Sequence, residues 1–301
     1  MTDMPHVAFI GAGQMGGRLA RRVMAAGHPL TICDLSPAVR ESFEADGAAI
    51  ADRPADCATA DIVAIFVMTG PQAIEAVAGP GGLAEGVDPA RPPIVLVMST
   101  ILPSEVHRIA EELAPTGARV VDCAVTGGLT RASDGLLTLL AGGAEADIDE
   151  VEPLLRVMGR TILRCGPLGS GETAKIINNM VGTVNLYVAY ESYRLGQAYG
   201  MSPDDVARLL EQGTGWTYWH KDPSDALAHY DLLSRNPDYF STVLHASAKD
   251  WKLAIDLGEE AGLRLPFLDA MIHRVVEADD GRLRADWRAF VATQAEPEVA
   301  A

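Results

Sequence analysis

Basic residues are scarce in this chain: 24 Lys and Arg stand against 41 Asp and Glu, a formal net charge of −17 over 301 residues. So acidic a surface repels phosphate backbones and anionic lipid heads, which excludes nucleic acid and membrane as expected partners. Any anionic substrate must be held by a local site working against the global field. Cysteine is scarcer still. Cys33, Cys57, Cys123 and Cys165 show neither paired CxxC spacing nor neighbouring His ligands. Neither a disulfide framework nor a metal site is expected, and we read the four as reduced, mostly buried small apolar residues. No apolar run approaches the roughly 18 residues of a membrane span. Met1–Pro5 has no basic segment of the kind that opens a signal peptide, so a cytoplasmic protein is expected. Aromatics are few and unevenly placed: every Trp and Tyr lies at or beyond Tyr187, with only Phe9, Phe43 and Phe66 in the first half.

What the first half does contain is an alternation of short apolar runs and amphipathic stretches. Strands are expected over Val7–Ile10, Leu30–Cys33, Ile62–Val67, Ile94–Met98, Val120–Cys123 and Leu136–Leu140, with helices over Arg18–Ala26, Ala38–Ala45, Pro71–Val77 and Pro103–Leu113. Unbroken apolar strands separated by helices indicate an α/β fold with a parallel sheet covered on both faces. After the strand-like Thr161–Cys165 the pattern turns helical, and Thr173 to about Tyr199 reads as one helix roughly 40 Å long. Its apolar residues surround most of the circumference, which in a chain of this size indicates packing against a second subunit. Gly166, Pro167 and Gly169 interrupt both periodicities, placing a domain boundary between residues 1–166 and 167–301. The tail Ala295–Ala301 is expected to fray.

The strongest local signal is Gly11-Ala12-Gly13-Gln14-Met15-Gly16, directly after the first strand and opening a helix. Gly11 would permit the tight turn, Gly13 would let the backbone approach a pyrophosphate, and Gly16 would let helix and strand pack closely. The phosphates would sit on unpaired N–H groups at the positive end of that helix. Asp34 lies 21 residues beyond Gly13, close to the offset of a ribose-binding acid. A carboxylate there accepts the ribose hydroxyls of NAD and repels the 2′-phosphate of NADP, and the next residue is Leu35 rather than Arg. NAD is therefore the expected cofactor. The other reading of Asp34 is that it starts the turn before Pro37 and caps the next helix.

Three further segments carry a resemblance. Asp122-Cys123-Ala124-Val125-Thr126-Gly127-Gly128, with Ala132, Gly135 and Leu137, resembles the substrate motif of the β-hydroxyacid dehydrogenases, the family of 3-hydroxyisobutyrate dehydrogenase and tartronate semialdehyde reductase. Gly169-Ser170-Gly171-Glu172-Thr173-Ala174-Lys175-Ile176-Ile177-Asn178-Asn179 looks like the family's catalytic helix, and Ala248-Lys249-Asp250-Trp251-Lys252-Leu253-Ala254 its segment near the nicotinamide. The resemblance implies a Rossmann-type N-terminal domain and an all-α C-terminal domain joined by a long interdomain helix, with the active site in the cleft between them. It also implies hydride transfer between NAD(P) and a small hydroxy acid or its semialdehyde, in a homodimer or tetramer formed through the helical domain.

Hydride transfer needs a group to take or give the alcohol proton. Lys175 is the candidate, although an ordinary lysine pKa of about 10.4 must be brought down towards roughly 7–8 for a base. Asn178 and Asn179, three and four residues on, share its helix face, so Asn179 can orient a substrate hydroxyl and Asn178 can contact the substrate. Thr126, Gly127 and Gly128 offer a hydroxyl and two open N–H groups as a grip for a carboxylate. They also read as a plain turn. Ala124 and Thr126 stand where the family usually has Pro and Ser, which keeps the hydroxyl but alters the pocket. By resemblance Gln14, Met15, Met68, Thr69, Thr100 and Lys249 complete the cofactor contacts; Met68 and Thr69 also read as ordinary strand-end residues, and Lys249 as a salt-bridge partner of Asp250. Trp216, Tyr218, Trp219 and His220 read as a pocket wall or as interface packing; His220 and His245 are lesser proton-transfer candidates. Two rival functions follow: an imine reductase-like enzyme for uncharged substrates, whose relatives commonly replace the lysine, and a non-catalytic dinucleotide-binding module.

Overall fold

The computed structural model describes residues 4–277 and 281–294, so the tail 295–301 lies outside the described residues. The chain divides between Lys175 and Ile176 into two compact units. The first holds eight strands: β1 (Val7–Ile10), β2 (Leu30–Cys33), β3 (Ala49–Ile50), β4 (Ile62–Ile65), β5 (Ile94–Val97), β6 (Arg119–Thr126), β7 (Leu137–Gly142) and β8 (Gly159–Gly166). They form one sheet in the order β3-β2-β1-β4-β5-β6-β7-β8. Its helices are α1 (Gly16–Ala25), α2 (Pro37–Ala45), α3 (Gly70–Ala78), α4 (Leu83–Gly86), α5 (Pro103–Leu113), α6 (Gly128–Asp134) and α7 (Glu145–Met158).

All four residues of β1, β2, β4 and β5 are buried. The period of two then sends neighbours to opposite faces. Val7 and Phe9 of β1 join one core with Leu19, Phe43 and Leu96, while Ala8 and Ile10 join the other with Val63, Val97 and Ile109. With both faces covered there is no place for polar alternation, which is why these strands read as unbroken apolar runs. Strand order reverses beside β1, and the carboxyl ends of strands at such a switch point are where α/β sheets bind ligands.

The sheet departs from the expected all-parallel form at one place. β6 and β7 pair antiparallel, from Asp122 opposite Gly142 to Thr126 opposite Thr138. Only residues 127–136 join them, too few for the dozen or more that a parallel crossover requires. β6 also runs to Thr126 rather than stopping at Cys123, because Ala124 and Val125 stay buried opposite Leu140 and Leu139. β3, two residues long, was not anticipated.

The second unit is helical. Helix α8 (Ser170–Ala198) begins in the first unit and continues into this one, followed by α9 (Pro203–Gln212), α10 (Pro223–Arg235), α11 (Pro237–Glu260), α12 (Pro266–Met271) and α13 (Arg282–Gln294). Trp287 lies at the centre of an aromatic core, with Tyr187, Tyr190, Tyr230 and Phe240 rings 5.0–5.8 Å from it. Helices stand farther apart than strands, and large rings fill that space; this accounts for the uneven aromatic distribution. α8 buries Ile176, Leu186, Tyr187, Ala189, Tyr190 and Tyr193, while Ile177, Val181, Val188 and Leu195 remain exposed.

His220 fastens the aromatic segment to α8. Its Nε2 is 2.9 Å from Ser192 Oγ and its Nδ1 2.9 Å from Thr217 Oγ1. Ser192 already donates to the Ala189 carbonyl at 2.7 Å, so it accepts from Nε2–H of the ring. Burial holds both His220 and His229 below their usual 6.5. The unfolded chain therefore takes up protons at these positions first. Their contribution to stability is complete above that value and is lost as pH falls through it. The melting temperature should be lower at about pH 5.5 than at about pH 7.5. His229→Phe, which keeps a ring against Trp219, should narrow that gap in thermal melts; an unchanged gap removes His229 from the account.

Candidate active site

The site is organised around a buried carboxylate. Asp122, fully buried in β6, accepts N–H bonds from Gly169 at 2.6 Å and Glu172 at 2.8 Å. These are donors at the start of α8 that have no partner within the helix. Glu172, also fully buried, accepts from the Ile101 N–H at 3.2 Å, next to Thr100. One turn on stands Lys175, half-buried. The same strand ends four residues after Asp122 at Thr126, followed by Gly127 (φ +135°) and Gly128 (φ +80°). A Cβ on Gly127 would lie 2.9 Å from Leu137, whereas one on Gly128 would meet nothing within 4 Å. The turn's backbone thus opens α6 with one glycine packed and one bare.

Close packing also selects glycine behind Asp122. A Cβ on Gly171 would lie 2.3 Å from the Leu140 carbonyl oxygen and 2.7 Å from Asp122 Oδ2. One on Gly142 would lie 2.5 Å from Asp122 Oδ1. Desolvation pushes the Asp122 carboxyl above its ordinary range, and the backbone N–H bonds work in the opposite direction.

The glycine loop stands at the switch point and fits a dinucleotide. Gly11 takes φ +90°, and a Cβ there would strike the Phe66 carbonyl oxygen at 2.3 Å. A Cβ on Gly16 would lie 2.7 Å from the Gly11 carbonyl oxygen, while one on Gly13 would meet nothing within 4 Å. No side chain caps the start of α1 at Met15; backbone carbonyls take its Gly17 N–H (Gly13, 2.8 Å) and Arg18 N–H (Met15, 3.1 Å). Asp34 accepts from Ala12 N–H at 2.7 Å and Ser36 N–H at 2.8 Å. It therefore does serve the turn, and each oxygen keeps a second lone pair for a ribose hydroxyl. Thr69 caps α3 by accepting from Gln72 N–H at 3.4 Å, and Met68 is 72% exposed. Ser99, missed in the sequence, ties β5 to β4 by accepting from Val67 N–H at 2.8 Å, just before Thr100.

In the second unit, Asn179 donates from Nδ2 to Asp250 Oδ2 at 2.8 Å, and Lys249 Nζ is 3.6 Å from Asp250 Oδ1. Lys249 is thus paired with its neighbour, the second of its two sequence readings. Asn178 Nδ2 donates to Asn179 Oδ1 at 3.2 Å. Asp250 was not among the expected site residues, although it lies in the segment that resembles the family's stretch near the nicotinamide and was read as a salt-bridge partner of Lys249. Trp216 and Tyr218 are exposed, and Trp219 donates from Nε1 to the Gly182 carbonyl at 3.2 Å. His220 is committed to Ser192 and Thr217, and His245 to the Ser241 carbonyl, 2.6 Å from its Nδ1.

The glycines of α8 give a direct test of this packing. Gly171→Ala should cost several kcal/mol, on the order of overpacking against backbone. Gly182→Ala, where a Cβ meets nothing within 4 Å, should instead stabilise by about 0.5–1 kcal/mol, the usual helix preference for alanine. Urea unfolding of the two variants measures both; equal effects would contradict the joint at Asp122.

Residues 6–166 match the family described as the NAD binding domain of 6-phosphogluconate dehydrogenase. Residues 169–292 match that described as the NAD-binding domain of NADP-dependent 3-hydroxyisobutyrate dehydrogenase. The mitochondrial 3-hydroxyisobutyrate dehydrogenase of Mus musculus is 33% identical over 260 residues, 85% of this chain and 76% of the relative. The 3-hydroxyisobutyrate dehydrogenase of Pseudomonas aeruginosa is 33% identical over 216 residues, 71% of each chain. Among solved structures, a Mycobacterium tuberculosis 3-hydroxyisobutyrate dehydrogenase with L-serine superposes with a TM-score of 0.76 at 23% identity, covering 97% of this chain and 100% of that one. An imine reductase from Myxococcus stipitatus shares the fold at a TM-score of 0.60 and 18% identity, over 94% and 99% of the two chains. The two matched segments span nearly the whole sequence, and together with the mouse relative they show that this chain belongs to the β-hydroxyacid dehydrogenase family, the NAD(P)-dependent dehydrogenases of hydroxy acids.

Proposed function

We propose that the protein exchanges a hydride between NAD and a small 3-hydroxy acid or its semialdehyde, with Lys175 as the proton-transfer group. The observation that carries this reading is the joint at Asp122. One buried carboxylate belongs to the strand that ends in Thr126-Gly127-Gly128 and also accepts the first N–H groups of the helix that bears Lys175. The turn would hold the substrate carboxylate through its N–H groups and the Thr126 hydroxyl. Lys175 would take the hydroxyl proton on oxidation and return it on reduction. Asn178 and Asn179 would direct the hydroxyl. Bound nicotinamide supplies the hydride acceptor or donor. Gly11, Gly13, Gln14, Met15 and Gly16 would carry the phosphates and Asp34 the ribose, with Met68, Thr69, Thr100 and Lys249 along the cofactor. Asp34 and the fully exposed Leu35 support NAD over NADP. The names of the relatives make 3-hydroxyisobutyrate the first substrate to try, and L-serine the second.

The same reading includes a homo-oligomer. Val181, Val188 and Leu195 recur every seventh residue along α8 and are 47–63% exposed in the single chain. An apolar heptad row of this kind is a seam for another helix. Sedimentation should show a dimer or tetramer, and Val188→Glu should shift it towards monomer.

The test of the chemistry is turnover followed at 340 nm with a panel of hydroxy acids and amines. We expect a signal with hydroxy acids and NAD, and kcat/KM at least about tenfold lower with NADP. Lys175→Ala should lower kcat by roughly 10²–10⁴, the usual worth of a positioned acid or base, while NADH affinity changes little. Near-normal turnover by that variant would remove Lys175 from its role, and a signal with amines alone would favour the imine reductase reading.

A further inference from the structure

Among the described residues, the polar chain Asn178–Asn179–Asp250–Lys249 joins α8 to α11 through a bond between residues 71 apart in sequence. An asparagine amide has two nearly isosteric orientations, differing by exchange of its oxygen and nitrogen. What selects one is the partner. A carboxylate only accepts, so Asp250 Oδ2, 2.8 Å away, requires Nδ2 of Asn179 on its side and turns Oδ1 the other way. That oxygen in turn receives Nδ2 of Asn178 at 3.2 Å, which sets the second amide as well. Asp250 is itself fixed. Its side chain is only 13% exposed, its second oxygen faces Lys249 Nζ at 3.6 Å, and the adjoining Trp251 is fully buried and ring-packed on Tyr187 at 5.5 Å.

We propose that Asp250 is a positioning residue for the dehydrogenase reaction: by fixing the orientation of Asn179, and through it Asn178, it sets the donor and acceptor pattern that the two amides present to the substrate hydroxyl, one turn beyond Lys175 on α8. The inference rests on the proposed roles of Lys175 and Asn179. It gives Asp250 no contact with substrate. The charge matters here, not the shape. An asparagine at position 250 has the same volume and can still accept from Asn179, but it offers an amide as readily as an oxygen. Both orientations of Asn179 then become available.

The experiment is a double-mutant cycle on the full chain, with 3-hydroxyisobutyrate and NAD as probes and melting temperature and NADH fluorescence titration as controls. Asp250→Asn should melt within a few degrees of the parent and bind NADH within about threefold, yet lose about tenfold in kcat. Asn179→Ala should lose a similar or larger factor. The double variant should be no worse than Asn179→Ala within about twofold, because Asp250 would have nothing left to orient. Multiplying effects would overturn the inference, since Asp250 would then act elsewhere. A loss of NADH affinity that accounts for the whole defect would overturn it too, assigning Asp250 to Lys249 and the cofactor. If the parent turns over no hydroxy acid, the dehydrogenase reading fails and takes the inference with it. An active parent with a multiplicative cycle sinks the inference alone.

Discussion

A single buried anion determines the geometry of the first unit's site. Asp122 is fully removed from water, a position that ordinarily expels charge, yet both its oxygens face N–H donors at 2.6 and 2.8 Å. N–H donors on both oxygens favour the ionised form, which is placed at the positive end of α8. Burial and the N–H bonds oppose each other in its proton affinity, with burial the larger. Deleting the side chain would leave buried N–H groups without partners, at about 1–3 kcal/mol each. Gly142 and Gly171 are consequences of the same group, since side chains there would occupy its space. The strand that leads to the Thr126 turn and the helix that bears Lys175 are therefore held by one joint.

The acidic composition reappears in how the few cations are used. Arg119 pairs with Asp147 and Glu150, and Arg164 with Glu145, Asp149 and Glu152, all around α7. These pairs are largely solvated and contribute little to stability. Under the proposed function the Thr126-Gly127-Gly128 turn would receive a substrate carboxylate with neutral peptide N–H groups and a hydroxyl instead. Such donors are fixed by the backbone and cannot be drawn away by surface carboxylates.

How much of this was legible in the sequence depends on the distance over which each signal acts. The buried strands and the Gly11–Gly16 loop announce themselves within a few residues, through apolar runs and a turn that only glycine permits. The Asp122 bond to Gly169 spans 47 residues and the Asn179 bond to Asp250 spans 71. Neither has a local signature: an aspartate within an apolar strand looks like an interruption until its partner helix is placed. The reversal at β7 was hidden for a related reason. Leu136–Leu140 is as apolar as a parallel strand, and only the short connection from Thr126 betrays its direction. The aromatic asymmetry was plain, but the rings within it divide in a way that composition does not reveal. Trp251 and Trp287 are buried, while Trp216 and Tyr218 stand exposed.

Glycine shows the same division most sharply, because one residue type answers to three different demands. At Gly11 and Gly127 the backbone requires a φ that other residues rarely adopt. At Gly16, Gly142 and Gly171 a neighbouring atom fills the place of the side chain. Gly13 and Gly182 meet neither condition: their φ values are ordinary and a Cβ would touch nothing within 4 Å. Glycine in a helix interior costs about 1 kcal/mol relative to alanine, so folding alone selects against it at Gly182, within α8. For Gly13 the proposed cofactor would supply the demand from outside the chain, a pyrophosphate approaching its backbone. Gly182 passes the same test, with the Trp219 indole on its carbonyl, and nothing among the described residues of the single chain requires it.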